Sequence, residues 1–230
     1  MAIIEITSLS KHYRNKQALD SLDLTLDTGR IVGLVGPNGS GKTTLLRILG
    51  GFDQAYEGQV RVGGFVPGHE SRALTSYLPD HSAMPEWMTA EQTIETYREF
   101  FPDFDAAKAR DMLAALKLDG TQRLREMSKG MKEKIQIMLI MSRSAKIYLL
   151  DEPISAVDPA SRKQILQSII SNYAEDSLLF ISTHLLHDIE PIIDEVIFLD
   201  DGRLKLQEDT DQLRSRTGKD LTTIFEEVYS

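Results

Sequence analysis

Eight consecutive residues, Gly36-Pro37-Asn38-Gly39-Ser40-Gly41-Lys42-Thr43, complete a G-x-x-x-x-G-K-[ST] phosphate-binding pattern. Glycines let the backbone fold tightly round an anion, so that successive N–H groups point at phosphate oxygens. A helix opening at Thr43-Thr44 would add the positive end of its dipole. Lys42 is placed to reach the β- and γ-phosphates, and the Thr43 hydroxyl to ligate Mg²⁺. A glycine-rich strand-to-helix turn with no ligand is the plain alternative. Two further groups suit the same chemistry. Asp151-Glu152 closes the apolar run Ile147-Tyr148-Leu149-Leu150. Asp151 there would hold Mg²⁺, a hard cation that takes oxygen ligands. Glu152 would orient and deprotonate an attacking water. His184, 32 positions after Glu152, follows Ile181-Ser182-Thr183 and is a candidate for holding the γ-phosphate or the water. Taken alone, the acidic pair also reads as a solvated turn, and His184 as a satisfied structural histidine.

These residues need a scaffold that brings separate strand ends together. Ile31-Val32-Gly33-Leu34-Val35, Ile147 to Leu150 and Leu178-Leu179-Phe180-Ile181 are nearly continuous apolar runs. Such runs fit parallel strands buried on both faces. A parallel sheet delivers all its C-terminal residues to one crevice. Ile3-Ile4-Glu5-Ile6 and Leu22 to Leu26 alternate as half-buried strands, while Gly58 to Val62 and Thr75 to Pro79 are predicted as further strands. From about Glu91 to Ser144 the periodicity turns helical, with Ile94, Tyr97 and Phe101 on one face and Met112, Leu113 and Leu116 repeating the spacing. Val196 to Leu206 reads as a hairpin turning at Asp200-Asp201-Gly202-Arg203. The amphipathic end, with Ile224, Phe225 and Val228, is predicted as a closing helix. The expected fold class is α/β, a P-loop NTPase core with a mixed, mostly parallel sheet, an N-terminal antiparallel β subdomain and a helical insertion. One domain is expected over 1–230, with 1–79 and 146–206 as core and β subdomain, 80–145 as helical subdomain and 207–230 as the closing segment.

The 230 residues carry a net charge of −9, which argues against a surface built mainly for nucleic acid. Cysteine is absent, which removes disulfides and thiolate metal sites and fits a reducing interior. Neither a signal-peptide pattern nor a membrane span is read; the most apolar stretch, Ile135 to Leu150, is interrupted by Gln136, Arg143 and Lys146.

With these residues in place, the chain resembles the ATP-binding cassette family, specifically the nucleotide-binding subunit of a transporter, from Ile3 to about Leu206. The resemblance assigns Tyr13, in Ser10-Lys11-His12-Tyr13, to stacking on adenine; a hydrophobic edge residue is the alternative. Met127-Ser128-Lys129-Gly130-Met131 occupies the place of the Leu-Ser-Gly-Gly-Gln signature, with Ser128 23 positions before Asp151. Ser128 suits the N-cap of the following helix, whose positive end, with Gly130, would meet phosphate. In this family that end contacts the nucleotide held by a second subunit, so the resemblance implies a dimer of cassettes, as homodimer or with a paralogue. It also implies a signature far from its own loop within one chain. Asp158, in Ser155-Ala156-Val157-Asp158, would lie at the dimer seam. The chain departs from the family pattern at Lys129 and Met131, and at Asp80, where many relatives place a glutamine that touches Mg²⁺ and water.

The resemblance implies an ATPase that needs ATP and Mg²⁺, works with an integral membrane permease and sits on the cytoplasmic face of the cell membrane. Export is the weaker expectation, drawn from the short C-terminal segment. The stretch from His81 to Thr89, with Met84, Pro85, Trp87 and Met88, is where the family grips its membrane partner; Trp87 is the expected anchor, with packing inside the helical subdomain as the alternative. Soluble non-transport and regulatory cassettes stay as rival readings. A GTPase is disfavoured by the missing guanine-reading N/T-K-x-D motif. His12, His69, His81 and His187 are assigned no chemistry.

Overall fold

The computed structural model describes residues 2–14, 16–80, 84–155 and 157–229. Among the described residues there are two sheets. Strands β1 (Ala2–Tyr13), β2 (Lys16–Asp27) and β4 (Glu57–Val62) form an antiparallel sheet in the order β2-β1-β4. Strands β3 (Arg30–Val35), β5 (Thr75–Leu78), β6 (Ile147–Asp151), β7 (Leu178–Thr183), β8 (Glu195–Asp200) and β9 (Arg203–Asp209) form the second, in the order β5-β6-β7-β3-β8-β9. All neighbours in it run parallel except the β8–β9 hairpin.

Period-two alternation explains how this second sheet separates two cores. Val32 and Leu34 of β3, Ile147 and Leu149 of β6, and Leu178 and Phe180 of β7 point to one side. There they meet the antiparallel sheet and helix α1 (Lys42–Leu49). Ile31 and Val35, Tyr148 and Leu150, and Leu179 and Ile181 point to the other side. On that side lie α3 (Ala90–Phe100), α4 (Ala106–Ala115), α5 (Lys129–Met141), α6 (Pro159–Ile170) and α7 (Leu186–Ile189). Every residue of β6 and β7 is buried, as strands covered on both faces must be.

The mixed, mostly parallel sheet with a separate antiparallel sheet is the architecture expected. Several details differ. Strands β1 and β2 run for 12 residues each, beyond the short stretches predicted, because register shifts between Ile6 and Leu9 and between Leu9 and Lys11 interrupt the alternation. The predicted helical stretch from Glu91 to Ser144 is three separate helices joined by loops and a 3₁₀ turn at Leu124–Glu126. A short helix, α2 (His69–Leu74), precedes β5. The hairpin extends to Asp209 rather than Leu206. The single closing helix is corrected to two, α8 (Thr210–Thr217) and α9 (Leu221–Val228), separated by Gly218 at φ +68°. Glycine tolerates that left-handed cap where a side chain would be strained. No helix among the described residues is long and apolar enough to cross a membrane.

Candidate functional site

Because β3, β6 and β7 are parallel neighbours, their C-terminal ends open on one side. Val35 pairs with Thr183 and Asp151 with Ser182, so the phosphate-loop pattern, the acidic pair and His184 converge although they lie far apart in sequence. A cleft of about 470 Å³ lies there, lined by Tyr13, Asn38, Gly39, Gly41, Lys42, Thr43, Thr44, Asp80, Glu152 and His184 among others.

The loop is fixed before any ligand arrives. At Gly36 an added Cβ would lie 2.2 Å from the Leu199 carbonyl oxygen and 2.7 Å from Ser40 Oγ. Gly41 has φ +110°, and a Cβ there would lie 2.5 Å from the Ala18 carbonyl oxygen. Both positions therefore require glycine. The Gly202 N–H donates to the Ser40 carbonyl at 2.9 Å, tying the loop to the β8–β9 turn. Pro37, Asn38 and Gly39 stay exposed at its tip. Lys42 folds back under the loop, donating to the Gly36 carbonyl at 2.8 Å and the Pro37 carbonyl at 3.2 Å. Burial holds its pKa below the ordinary lysine value, while Glu152 and Asp151 pull the other way.

Asp151 is 1% exposed. Ser182 Oγ donates to its Oδ1 at 2.5 Å, and Oδ2 has no hydrogen-bond partner. Burial pushes its pKa up, opposed by the Ser182 and Thr43 hydroxyls and reinforced by the nearby carboxylates of Asp80 and Glu152. A buried carboxylate oxygen left unpaired beside a threonine hydroxyl fits a hard divalent cation. No group of three or more His, Cys, Asp and Glu among the described residues could hold a metal by itself. Mg²⁺ takes one or two protein ligands together with substrate phosphates.

Glu152 turns away from Asp151 because its backbone adopts φ +52°, a left-handed conformation that is uncommon outside glycine. Its N–H donates to the Ser182 carbonyl at 3.1 Å. Strain of this kind costs about 1–3 kcal/mol and concentrates where a side chain must be aimed. Here it aims the Glu152 carboxylate into the cleft. His184 Nδ1 lies 2.9 Å from Glu152 Oε2, and Lys42 Nζ lies 3.9 Å from Oε1. A carboxylate only accepts, so Nδ1 carries the proton and Nε2 is left for a ligand.

Tyr13, 43% exposed, ends β1 on the cleft wall, and its hydroxyl donates to Asp53 Oδ2 at 2.6 Å. Asp80 is exposed and also lines the cleft. Ser128 caps α5, its Oγ accepting from Met131 N at 3.2 Å, which leaves its O–H free to donate. A Cβ on Gly130 would come 3.3 Å from Val157 Cγ1. Asp158 caps α6 by accepting from Ser161 N at 3.1 Å. Ala156 and His81 lie outside the described residues; His12, His69 and His187 are exposed and do not line the cleft.

Ser128 and Gly130 of the signature stretch do not line the cleft. Lys129, the exposed first residue of α5, does line it, together with Lys42 and His184. Lys16, Ala18 and Ser155 were also missed in the sequence. Lys16, Lys42 and Lys129 outnumber the lining carboxylates Asp80 and Glu152 by one, in a chain of net charge −9. That excess favours a polyphosphate.

Trp87 is 63% exposed. Beside it a groove of about 160 Å³ is lined by Tyr77, Pro79, Met84, Pro85, Met88, Tyr97 and other residues between β5 and the helices.

Comparison with known proteins agrees with this geometry. The chain is 31% identical over 215 residues to the ABC transporter ATP-binding protein YtrB of Bacillus subtilis, covering 92% of this chain and 74% of that protein. It is 29% identical to the daunorubicin resistance ATP-binding protein DrrA3 of Streptomyces coeruleorubidus, covering 94% and 71%. It is 28% identical to the phosphonates import ATP-binding protein PhnC 1 of Natronomonas pharaonis, covering 98% and 100%. Among solved structures, the ATP-binding subunit of an ABC transporter superposes with a TM-score of 0.87 at 24% identity, covering 99% of this chain and all of that one. A dimeric post-hydrolysis ATP-binding cassette bound to ADP and phosphate matches with a TM-score of 0.79 at 21% identity, over 90% and 98%. The ABC transporter family model matches residues 19–155, and the chain belongs to that family, as one of its ATP-binding subunits.

Proposed function

We propose that this chain hydrolyses ATP as one of two cassettes that close on two nucleotides and so drive a separate membrane permease. The observation that carries the reading is the Glu152 carboxylate, aimed into the cleft between His184 at 2.9 Å and Lys42 at 3.9 Å. Gly36 to Thr44 cradle the triphosphate with backbone N–H groups and the dipole of α1. On binding, Lys42 exchanges its loop carbonyls for β- and γ-phosphate oxygens. Glu152 takes the proton of the attacking water, and His184, oriented through Nδ1, presents Nε2 to the γ-phosphate. Thr43, Asp151 and, through water, Asp80 would hold Mg²⁺, which neutralises charge on the phosphates. Tyr13 stacks on adenine.

Ser128, Gly130 and Asp158 belong to the seam with the second cassette in this reading, the serine donating to the γ-phosphate held opposite. The dimeric relative with ADP and phosphate supports the arrangement. In this reading the permease meets the exposed Trp87 and the neighbouring groove on the cytoplasmic face of the membrane, an exposed aromatic being a common anchor. ATPase turnover of the purified chain, alone and with its permease in vesicles, tests the proposal. Glu152→Gln is expected to lower turnover by about 10²–10⁴-fold. Wild-type turnover in that variant would remove Glu152 from its role.

A further inference from the structure

Lys11 is 4% exposed, although lysines are rarely so buried. An ammonium has three N–H donors, and its surroundings here engage it from three directions. Lys11 Nζ donates to Asp53 Oδ1 and to the Ala55 carbonyl, each at 2.6 Å. It also lies 4.6 Å from the centroid of the Tyr13 ring, within range of a cation–π contact. Asp53 receives the Tyr13 hydroxyl on its other oxygen at 2.6 Å. Tyr13 is thus held by its ring face on Lys11 and by its hydroxyl on Asp53, with the Thr44 hydroxyl at the start of α1 also interacting with it. The Lys11 and Tyr13 side chains leave β1 two residues apart, on the same face.

Asp53 is in turn anchored to α1: its N–H donates to the Arg47 carbonyl at 3.3 Å, and its Oδ1 also accepts from Ala55 N at 3.2 Å. Helix α1 begins at Lys42, in the phosphate loop, and ends at Leu49. Its eight residues span about 12 Å at 1.5 Å per residue. One end of this rigid element carries the phosphate site, and the other carries the carboxylate that holds the aromatic ring. We propose that Lys11 and Asp53 are positioning residues for the base, fixing Tyr13 at a set distance from the phosphate loop through α1 and leaving one ring face for a single adenine. This rests on the reading that Tyr13 stacks on adenine. It adds that ring placement is set by a buried ion pair rather than by the strand alone. Asp53 stays ionised in this arrangement, because the Lys11 and Tyr13 hydrogen bonds outweigh its burial and hold its pKa below the ordinary value.

Binding measurements can separate base from phosphate. Calorimetry with Mg·ATP and with Mg·tripolyphosphate, which has no base, is run on wild type, Lys11→Met, Asp53→Ala and Tyr13→Ala. Lys11→Met is expected to weaken ATP about tenfold, one decade being about 1.4 kcal/mol, and to leave tripolyphosphate within about twofold. Adding Lys11→Met to Tyr13→Ala is expected to cause no further loss, since both act through the ring. Equal losses of ATP and tripolyphosphate in Lys11→Met, or no loss of either, would overturn the proposal. If thermal melting shows that Lys11→Met does not fold, Asp53→Ala decides by the same comparison. If Tyr13→Ala itself leaves the preference for ATP over tripolyphosphate intact, the stacking reading falls, and the positioning roles fall with it.

Discussion

Replacing Gly36 with alanine tests whether the phosphate loop is shaped by its neighbours or by its ligand. The new Cβ would sit 2.2 Å from the Leu199 carbonyl oxygen and 2.7 Å from Ser40 Oγ. Ordinary contact begins near 3.4 Å, so the loop and the carbonyl must separate by about 1 Å. The carbonyl cannot easily yield. It belongs to β8, paired with β9, and it accepts the Tyr229 hydroxyl at 2.9 Å. The loop must therefore move. Overpacking of this kind costs about 1–3 kcal/mol. In a domain of this size that lowers Tm by roughly 2–12 °C at about 2–4 °C per kcal/mol. The functional loss is larger, because a displacement of about 1 Å in a positioning element costs about 10²-fold. ATP affinity by calorimetry and melting by differential scanning should fall together in Gly36→Ala. Unchanged affinity with an unchanged Tm would refute the argument that the Leu199 carbonyl sets the loop.

Other perturbations probe the remaining parts. Tyr13→Phe keeps the ring over Lys11 and loses the hydroxyl contacts to Asp53 and Thr44, so ATP affinity is expected to drop by less than about fivefold, whereas Tyr13→Ala loses about tenfold or more; equal affinities in the two variants would leave stacking unsupported. Lys42→Ala should abolish ATP binding, since Lys42 is proposed to neutralise the β- and γ-phosphates and also ties Gly36 to Pro37; undiminished binding by calorimetry would contradict the assignment. Asp151→Asn should melt at a higher temperature than wild type at neutral pH without nucleotide, yet lose Mg²⁺-dependent turnover. A carboxyl whose pKa is raised on folding binds more protons folded than unfolded, so it withdraws stability as pH rises above the unfolded value of 3.8, in full once pH passes the folded value. The Tm advantage of the asparagine variant should therefore shrink as pH is lowered through that window; an advantage independent of pH would assign the effect elsewhere.

The phosphate loop, the strand ends at Asp151 and His184 and the order of the buried strands were legible because each rests on local pattern. A run such as Leu178 to Ile181 is apolar on both faces for the same reason that its end reaches the crevice. What escaped the sequence depends on distance or on backbone irregularity. Lys11 and Asp53 are 42 residues apart, and nothing local pairs them. The long first hairpin is hidden by its register shifts, with Ser8 and Ser21 at positive φ. That Lys129 lines the cleft depends on where α5 begins in space, which periodicity does not encode. The break between α8 and α9 did carry a signal: Gly218 as a left-handed cap, followed by Asp220, whose side chain accepts from Thr223 N at 2.8 Å.

Two cassettes sharing the nucleotides, each supplying a Lys42 cradle to one and a Ser128-capped helix to the other, is the central claim. Sedimentation of Glu152→Gln with saturating Mg·ATP measures this directly. The account predicts a species of twice the monomer mass that disperses when Ser128→Arg is added or when ATP is replaced by ADP. A hydrolysis-arrested protein that binds ATP and stays monomeric at every concentration, alone and beside its permease, would contradict it.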